Sequence, residues 1–108
     1  MSYDVSFQEK LEGVDQWAIV GPQWINHTSD TAAMIKEVCG SYPSEWNNKK
    51  CAELLPVLTV ACEALRAHPE NYRQFEAGYG TVETTLKFLD DIRITCADFP
   101  TALIDVFC

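Results

Sequence analysis

Between positions 51 and 65, Cys51, Leu54, Leu55, Leu58, Cys62 and Leu65 recur at intervals of three and four. Only an α-helix gathers such a series on one face, and a helix with one apolar face must lie against something. A second series follows: Val82, Leu86, Leu89, Ile92 and Cys96 form the buried stripe of another helix. Glu83, Lys87, Asp90, Asp91 and Arg93 lie mostly outside that stripe. Thr81 caps this second helix, and Phe99-Pro100 stops it. Two helices of this kind need a further layer, and the flanking sequence has to supply it.

The earlier of the two series contains Pro56. A proline inside a helix removes one backbone hydrogen bond and clashes one turn back, at ~3 kcal/mol. The expectation is a short helical piece capped by Asn48, then a kink or a restart with Pro56 in a first turn. His68-Pro69 ends the helix. A shorter helix precedes both. Ser29 or Asp30 is expected to cap it, Met34, Ile35 and Val38 share one side, and Gly40 supplies the C-terminal stop. Between the helices lie a loop with Pro43 and Trp46 and another, Glu70 to Gly80, with Tyr72, Phe75 and Tyr79. Three aromatics in one loop predict that it folds back onto the core.

The two ends of the chain carry the other period. Tyr3, Val5 and Phe7 alternate with Asp4 and Ser6, as in a half-buried strand. Residues 8–16 read as a turn. Trp17 to Val20 is a short apolar run ended by Gly21-Pro22, and Gln23 to Asn26 is another extended piece, so a hairpin is expected. Leu103, Asp105 and Phe107 alternate with Ile104, Val106 and Cys108. The predicted architecture is α+β, one compact domain over residues 1–108, with three main helices packed on a small sheet that includes the N- and C-terminal strands.

A length of 108 residues and an apolar fraction of 47% suit one domain with one core. The first ten residues lack the basic start and apolar stretch of a signal peptide, and no apolar run approaches ~18 residues. A cytoplasmic protein without membrane contact is expected. The formal charge is -8, from 16 acidic and 8 basic residues. With basic residues scattered, direct binding to nucleic acid is disfavoured. The acidity serves solubility, or it presents an acidic face to a basic partner. The five cysteines (Cys39, Cys51, Cys62, Cys96 and Cys108) are odd in number and contain no C-x-x-C, which argues against a disulfide framework. Cys62 and Cys96 act as small hydrophobes, and Cys108 is expected to be exposed.

Chemistry-bearing motifs are few. No G-x-S-x-G occurs, and nothing positions a cysteine beside His27 or His68. Two isolated histidines and scattered cysteines match no zinc spacing, so no metal or other cofactor is expected. Both histidines read as surface or capping residues, and Asp90-Asp91 reads as a solvated face. Gly78-Tyr79-Gly80-Thr81 precedes a helix but lacks the lysine and glycine pattern of a phosphate loop, so a tight turn with a threonine cap is the simpler account. The stretch from Trp24 to Asp30 is the densest in hydrogen-bonding side chains and leads into a helix N-terminus. Either it is an elaborate cap with Trp24 in the core, or it furnishes a ligand pocket beside the first helix from Trp24, Asn26 and Thr28, joined by Tyr79 and Thr81.

Five of these stretches together carry a resemblance. Tyr3-Asp4-Val5-Ser6, Asn26-His27-Thr28, Leu54-Leu55-Pro56, His68-Pro69-Glu70-Asn71-Tyr72 and Gly78-Tyr79-Gly80-Thr81 resemble a loose group of small accessory proteins of tailed phages, prophages and bacteria. Those proteins open with Tyr-Asp-Ile/Val-Ser and carry an Asn-x-Thr-x-Asn segment before the first helix and Gly-Trp-Gly-Thr before the last. This chain departs at Asp30, where the pattern has its second Asn, and at Tyr79, where it has Trp. The resemblance implies a context and no activity. The expected function is a non-enzymatic phage or prophage accessory protein that binds and inhibits a host protein in the host cytoplasm. It would be an anti-defence factor of the anti-CRISPR kind, working through an acidic surface. The alternative is a protein that binds or sequesters a small nucleotide-like signal. A terminal strand with an open edge leaves room for a homodimer.

Overall fold

A computed structural model describes residues 1–13 and 15–108, and the fold is α+β. Strand β1 (Ser2–Lys10) pairs antiparallel with β2 (Trp17–Thr28) on one side and with β3 (Leu103–Phe107) on the other. The sheet order is β2-β1-β3, so both terminal strands lie in one sheet, as predicted. The turn between β1 and β2 is shorter than residues 8–16, because Gln8 to Lys10 continue the ladder. Val14 of that turn lies outside the described residues.

Tyr3, Val5 and Phe7 point to the helical layer and are buried, together with Ile25, Ile104 and Val106. The two extended pieces predicted from Trp17 to Asn26 form one long strand with a wide bulge. Val5 pairs with Ile25 but Phe7 pairs with Val20, so Gly21 to Trp24 bow out opposite Ser6. Gly21 has a φ of +66° there, and a Cβ on it would stand 2.9 Å from the Thr95 methyl, so only glycine fits.

Helices α1 (Ala32–Cys39), α2 (Cys51–Ala67) and α3 (Val82–Asp98) cover one face of the sheet. Gly40 terminates α1 in the left-handed conformation, as expected. Helix α2 does not restart at Pro56. It runs through the proline for 17 residues. Pro56 is the sixth residue, so a single intrahelical bond, to the carbonyl of Ala52, is forgone. The start of α2 is tied down from elsewhere. The Cys51 and Ala52 N–H groups donate to the carbonyls of Ala102 and Pro100, at 2.8 and 2.9 Å. The expected Asn48 cap is therefore replaced by the chain segment that leads into β3. Asn48 instead adopts a positive φ of 65° and donates its N–H to Ile104.

The core joins Leu58, Ala61, Cys62 and Leu65 of α2 to Phe88, Leu89, Ile92 and Cys96 of α3, with Met34 and Ile35 of α1 and the inward strand residues. Trp46, in a short 3-10 turn (Pro43–Trp46), is buried with its indole N–H donating to Ser41 Oγ at 2.8 Å. A second 3-10 segment (Pro69–Phe75) brings Tyr72 and Phe75 against the core. Tyr79 does not follow them, being 91% exposed. Cys51, Cys62 and Cys96 are buried, and all five cysteines are free thiols. Asp90 accepts from Arg66 of α2 and Arg93 of α3, at 3.0 and 2.7 Å, and so bridges the two helices rather than facing water alone. No helix among the described residues is long and apolar enough to cross a membrane.

Candidate functional site

The phase of the β-ladder decides which backbone groups of β2 are used. Ser29 N–H donates to Met1 O, and Leu11 N–H donates to Gln16 O. In an antiparallel pair, hydrogen-bonded positions alternate with non-bonded ones. The bonded pairs are therefore Tyr3 with His27 and Val5 with Ile25, whereas Asn26 and Thr28 turn their N–H and C=O away from β1. Trp24, one position beyond Ile25, does the same. The other side of β1 confirms the phase. Ile104 and Val106 of β3 turn their backbone outward, where Ile104 N–H meets Lys49 O at 3.0 Å and Val106 N–H meets Asn47 Oδ1 at 2.9 Å.

The two edges of the sheet are thus unlike. The edge of β3 is covered by residues 47–50. The edge of β2 is open, and β2 contains no charged residue. Exposed edges are usually protected by lysines, prolines or irregularity. Here Gly21-Pro22 divides the edge, and among the described residues no such device guards Trp24 to Thr28.

Along this open edge runs a groove of about 730 Å³. One wall is Pro22 and Trp24 to Thr28. The other is α3, through Thr84, Lys87, Phe88, Asp91, Ile94 and Thr95. These α3 positions fall at intervals of three, one, three, three and one, a single helical face. At 3.3 Å per residue the Trp24 to Thr28 part of the strand wall is about 13 Å long. At 1.5 Å per residue the helix wall is about 16 Å long. The walls match, and the trough between them holds about four extended residues.

His27 forms part of the floor and is the main departure from the expected surface or capping role, since it is buried. Its ring stacks on Phe88 with centroids 4.9 Å apart, and its Nε2 lies 2.7 Å from Thr31 Oγ1. Thr85 Oγ1 donates to Thr31 Oγ1 at 2.9 Å. Nε2 is thus engaged by the hydroxyls of Thr31 and Thr85, and Nδ1 is the ring nitrogen left over. Burial lowers the pKa of His27, against a smaller opposing pull from Asp30. His68 is exposed and serves as the C-cap of α2.

Four of the five expected site residues come together. Trp24, Asn26, Thr28 and Tyr79 line the groove. Trp24 is not in the core. It is half-exposed and meets Phe107 edge-to-face at 5.8 Å. Asn26 is no helix cap. Its amide donates to Asp4 Oδ1 at 2.7 Å and to Tyr3 O at 3.3 Å, on the neighbouring strand. Thr28 Oγ1 accepts the Asp30 N–H at 3.2 Å, which makes Thr28 the cap of a 3-10 turn (Ser29–Thr31) ahead of α1. Neither Ser29 nor Asp30 caps α1. Thr81 lies outside the groove and caps α3, accepting from Thr84 N–H at 3.1 Å while its own N–H donates to Thr84 Oγ1 at 2.8 Å.

Asp30 has a different task. Its carboxylate accepts the Tyr79 N–H at 3.1 Å, and this bond, followed by the one with Thr28, holds its pKa below the ordinary carboxylate value. The turn is pressed close. A Cβ on Gly80 would stand 2.2 Å from the Thr31 methyl. Gly78-Tyr79-Gly80 is thus a clasp on the 29–31 turn rather than an anion cradle, and it holds the Tyr79 ring out at the end of the groove. With Asp30 there, and Ser29 N–H bonded to Met1 O, this terminus is ill suited to an anion.

The α3 wall was not expected from the sequence. Thr84, Lys87, Asp91 and Ile94 mix polar and apolar types, which periodicity reads only as the border between faces. No cluster of histidine, cysteine and acidic residues among the described residues forms a metal site. No protein-family model matches the chain, and no curated protein or solved structure does so.

Proposed function

We propose that this chain is a non-enzymatic accessory factor, of the phage and prophage kind that its motifs resemble. In this reading it inhibits a host protein by taking an extended segment of that protein onto the free edge of β2. The observation that carries the proposal is the outward set of backbone groups at Trp24, Asn26 and Thr28, beside a groove whose other wall is one face of α3. Strand addition uses main-chain hydrogen bonds for affinity and side-chain pockets for selectivity, and both are present in this trough. The absence of charge on β2 spares a partner the cost of desolvating ions.

Acidity plays a secondary part. Acidic residues lie on every α-helix and strand except β2, and five of the eight basic residues are held in ion pairs with carboxylates. The proposal therefore rests on the groove, with the net charge of -8 serving to repel nucleic acid and keep the factor free in the host cytoplasm.

The test compares the tagged wild type with Asn26→Pro, purified gently from bacterial cells carrying active defence systems and weighed by native mass spectrometry. Proline deletes one outward N–H, a change an edge strand tolerates, and also the side-chain bonds to Asp4 and Tyr3, so Asn26→Ala, which loses only those bonds, is the control. Support is a host protein that accompanies the wild type, is lost with Asn26→Pro, and slows hydrogen exchange at Trp24, Asn26 and Thr28. A companion retained by the variant counts against the groove.

A second reading, binding of a small nucleotide-like signal, draws on Trp24 and Tyr79, two exposed aromatic residues that line the same groove. An added mass of a few hundred daltons, lost on Asn26→Ala, decides for it.

A further inference from the structure

The open groove has one buried polar group that the protein itself leaves unused. His27 is 6% exposed, and its contacts with Thr31 and Thr85 are made through Nε2 alone. Among the described residues no fully buried side-chain nitrogen or oxygen lacks a hydrogen-bond partner. Nδ1, which has none, is therefore reached from outside, and the opening available to it is the groove that His27 lines. Nδ1 is a donor in the protonated ring and in the neutral tautomer whose Nε2 accepts from Thr31. A nearly buried ring nitrogen thus borders a trough whose neighbouring wall, Phe88, is apolar.

We propose that His27 is the specificity-determining residue of the groove and selects extended peptide segments with an aspartate or glutamate side chain over it. This rests on the strand-addition reading given above and adds the chemistry of the occupant. On an added strand, alternate side chains turn toward α3, and one of them lies against His27. An apolar side chain there buries the N–H without a partner, which costs more than an ordinary hydrogen bond gains. A carboxylate accepts from it, and a charge-assisted bond is roughly twice as strong as a neutral one. The charged surroundings admit such a group. Asp30 of the 29–31 turn acts on His27, Tyr3 pairs with it from β1, and Lys87 and Asp91 of α3 and Tyr79 of the clasp line the same groove. Lys87 and Asp91 are joined at 2.8 Å, so the trough is close to neutral within a strongly acidic molecule. Protonation of His27 adds a positive charge beside the carboxylate, so binding takes up a proton and tightens as the pH falls toward 6.

The experiment pans a library of random nine-residue peptides against the full chain at pH 7.5. Each selected peptide is then titrated into 15N-labelled protein at pH 7.5 and pH 6.0, beside a copy whose acidic residue is replaced by its amide. The expected result is an Asp or Glu at one aligned position, with amide shifts at Trp24, Asn26 and Thr28. Affinity should rise roughly three- to tenfold at the lower pH, a gain the amide copy lacks. His27→Asn should remove the preference, and should that variant not fold, the amide peptide carries the same test. Peptides that move Trp24 to Thr28 but show no acidic position, or a flat pH response, overturn the role of His27 and leave the groove standing. Failure to select any peptide that moves those amides overturns both.

Discussion

Asp30 accepts a hydrogen bond at 3.1 Å from the backbone N–H of Tyr79, 49 residues further along the chain. The contact joins the turn before α1 to the turn before α3, and it fixes one end of the groove.

The clasp depends on space that only glycine leaves. A methyl group on Gly80 would fall 2.2 Å from Thr31 Cγ2 and 3.2 Å from Thr28 Cγ2. Gly80→Ala is expected to destabilise the fold by about 1–3 kcal/mol, the usual range for overpacking. Urea unfolding followed by circular dichroism measures it, and a variant as stable as the parent would show that the turn is not held as described.

Hydrogen exchange should alternate along the second half of β2. The N–H groups of Ile25 and His27 bond to β1 and should be protected, whereas those of Trp24, Asn26 and Thr28 face outward and should exchange fast. Residue-resolved exchange by NMR reads this directly. Uniform protection from Trp24 to Thr28 in the monomer contradicts the open edge. The same protection appearing only at high concentration marks pairing of β2 with a second copy.

The burial of His27 also makes a statement about pH. Its pKa is lowered from the ordinary 6.5, so the folded state binds the proton more weakly than the unfolded chain. Stability is therefore full above the unfolded value and is lost as the pH falls below 6.5 toward the folded value. The slope contributed by one such proton is at most about 1.4 kcal/mol per pH unit. Chemical denaturation at pH 7.5 and at pH 5.5 should show this loss in the parent, and His27→Gln should flatten it. An equal loss in the variant assigns the effect to another group.

Thiol reactivity should single out Cys108. Cys51, Cys62 and Cys96 are buried, and burial pushes the Cys39 thiol up to about 12, far from its reactive thiolate form. Native protein treated with iodoacetamide at pH 8 should take up one label quickly, mapped to Cys108 by mass spectrometry. Rapid labelling of Cys39 would falsify the packing of α1.

The sequence by itself determined the elements and the class. The stripes from Cys51 to Leu65 and from Val82 to Cys96, the Gly40 stop, the Thr81 cap and the alternation at both ends are local patterns, and local patterns report which face of an element is apolar. It also brought Trp24, Asn26 and Thr28 under suspicion, from the density of hydrogen-bonding groups between Trp24 and Asp30, and joined to them Tyr79, which lines the groove, and Thr81, which does not. What only the tertiary structure decided is what those faces meet. Pro56 remains inside α2 because the segment before β3 holds the start of that helix. His27 is buried because Phe88 and Thr85 of the distant helix α3 close over it beside Thr31. The groove itself exists because β3 has its outer edge covered and β2 does not. Such facts depend on which strand lies beside which, and on the phase of a ladder between residues far apart in the chain. No periodicity within a single element contains that information.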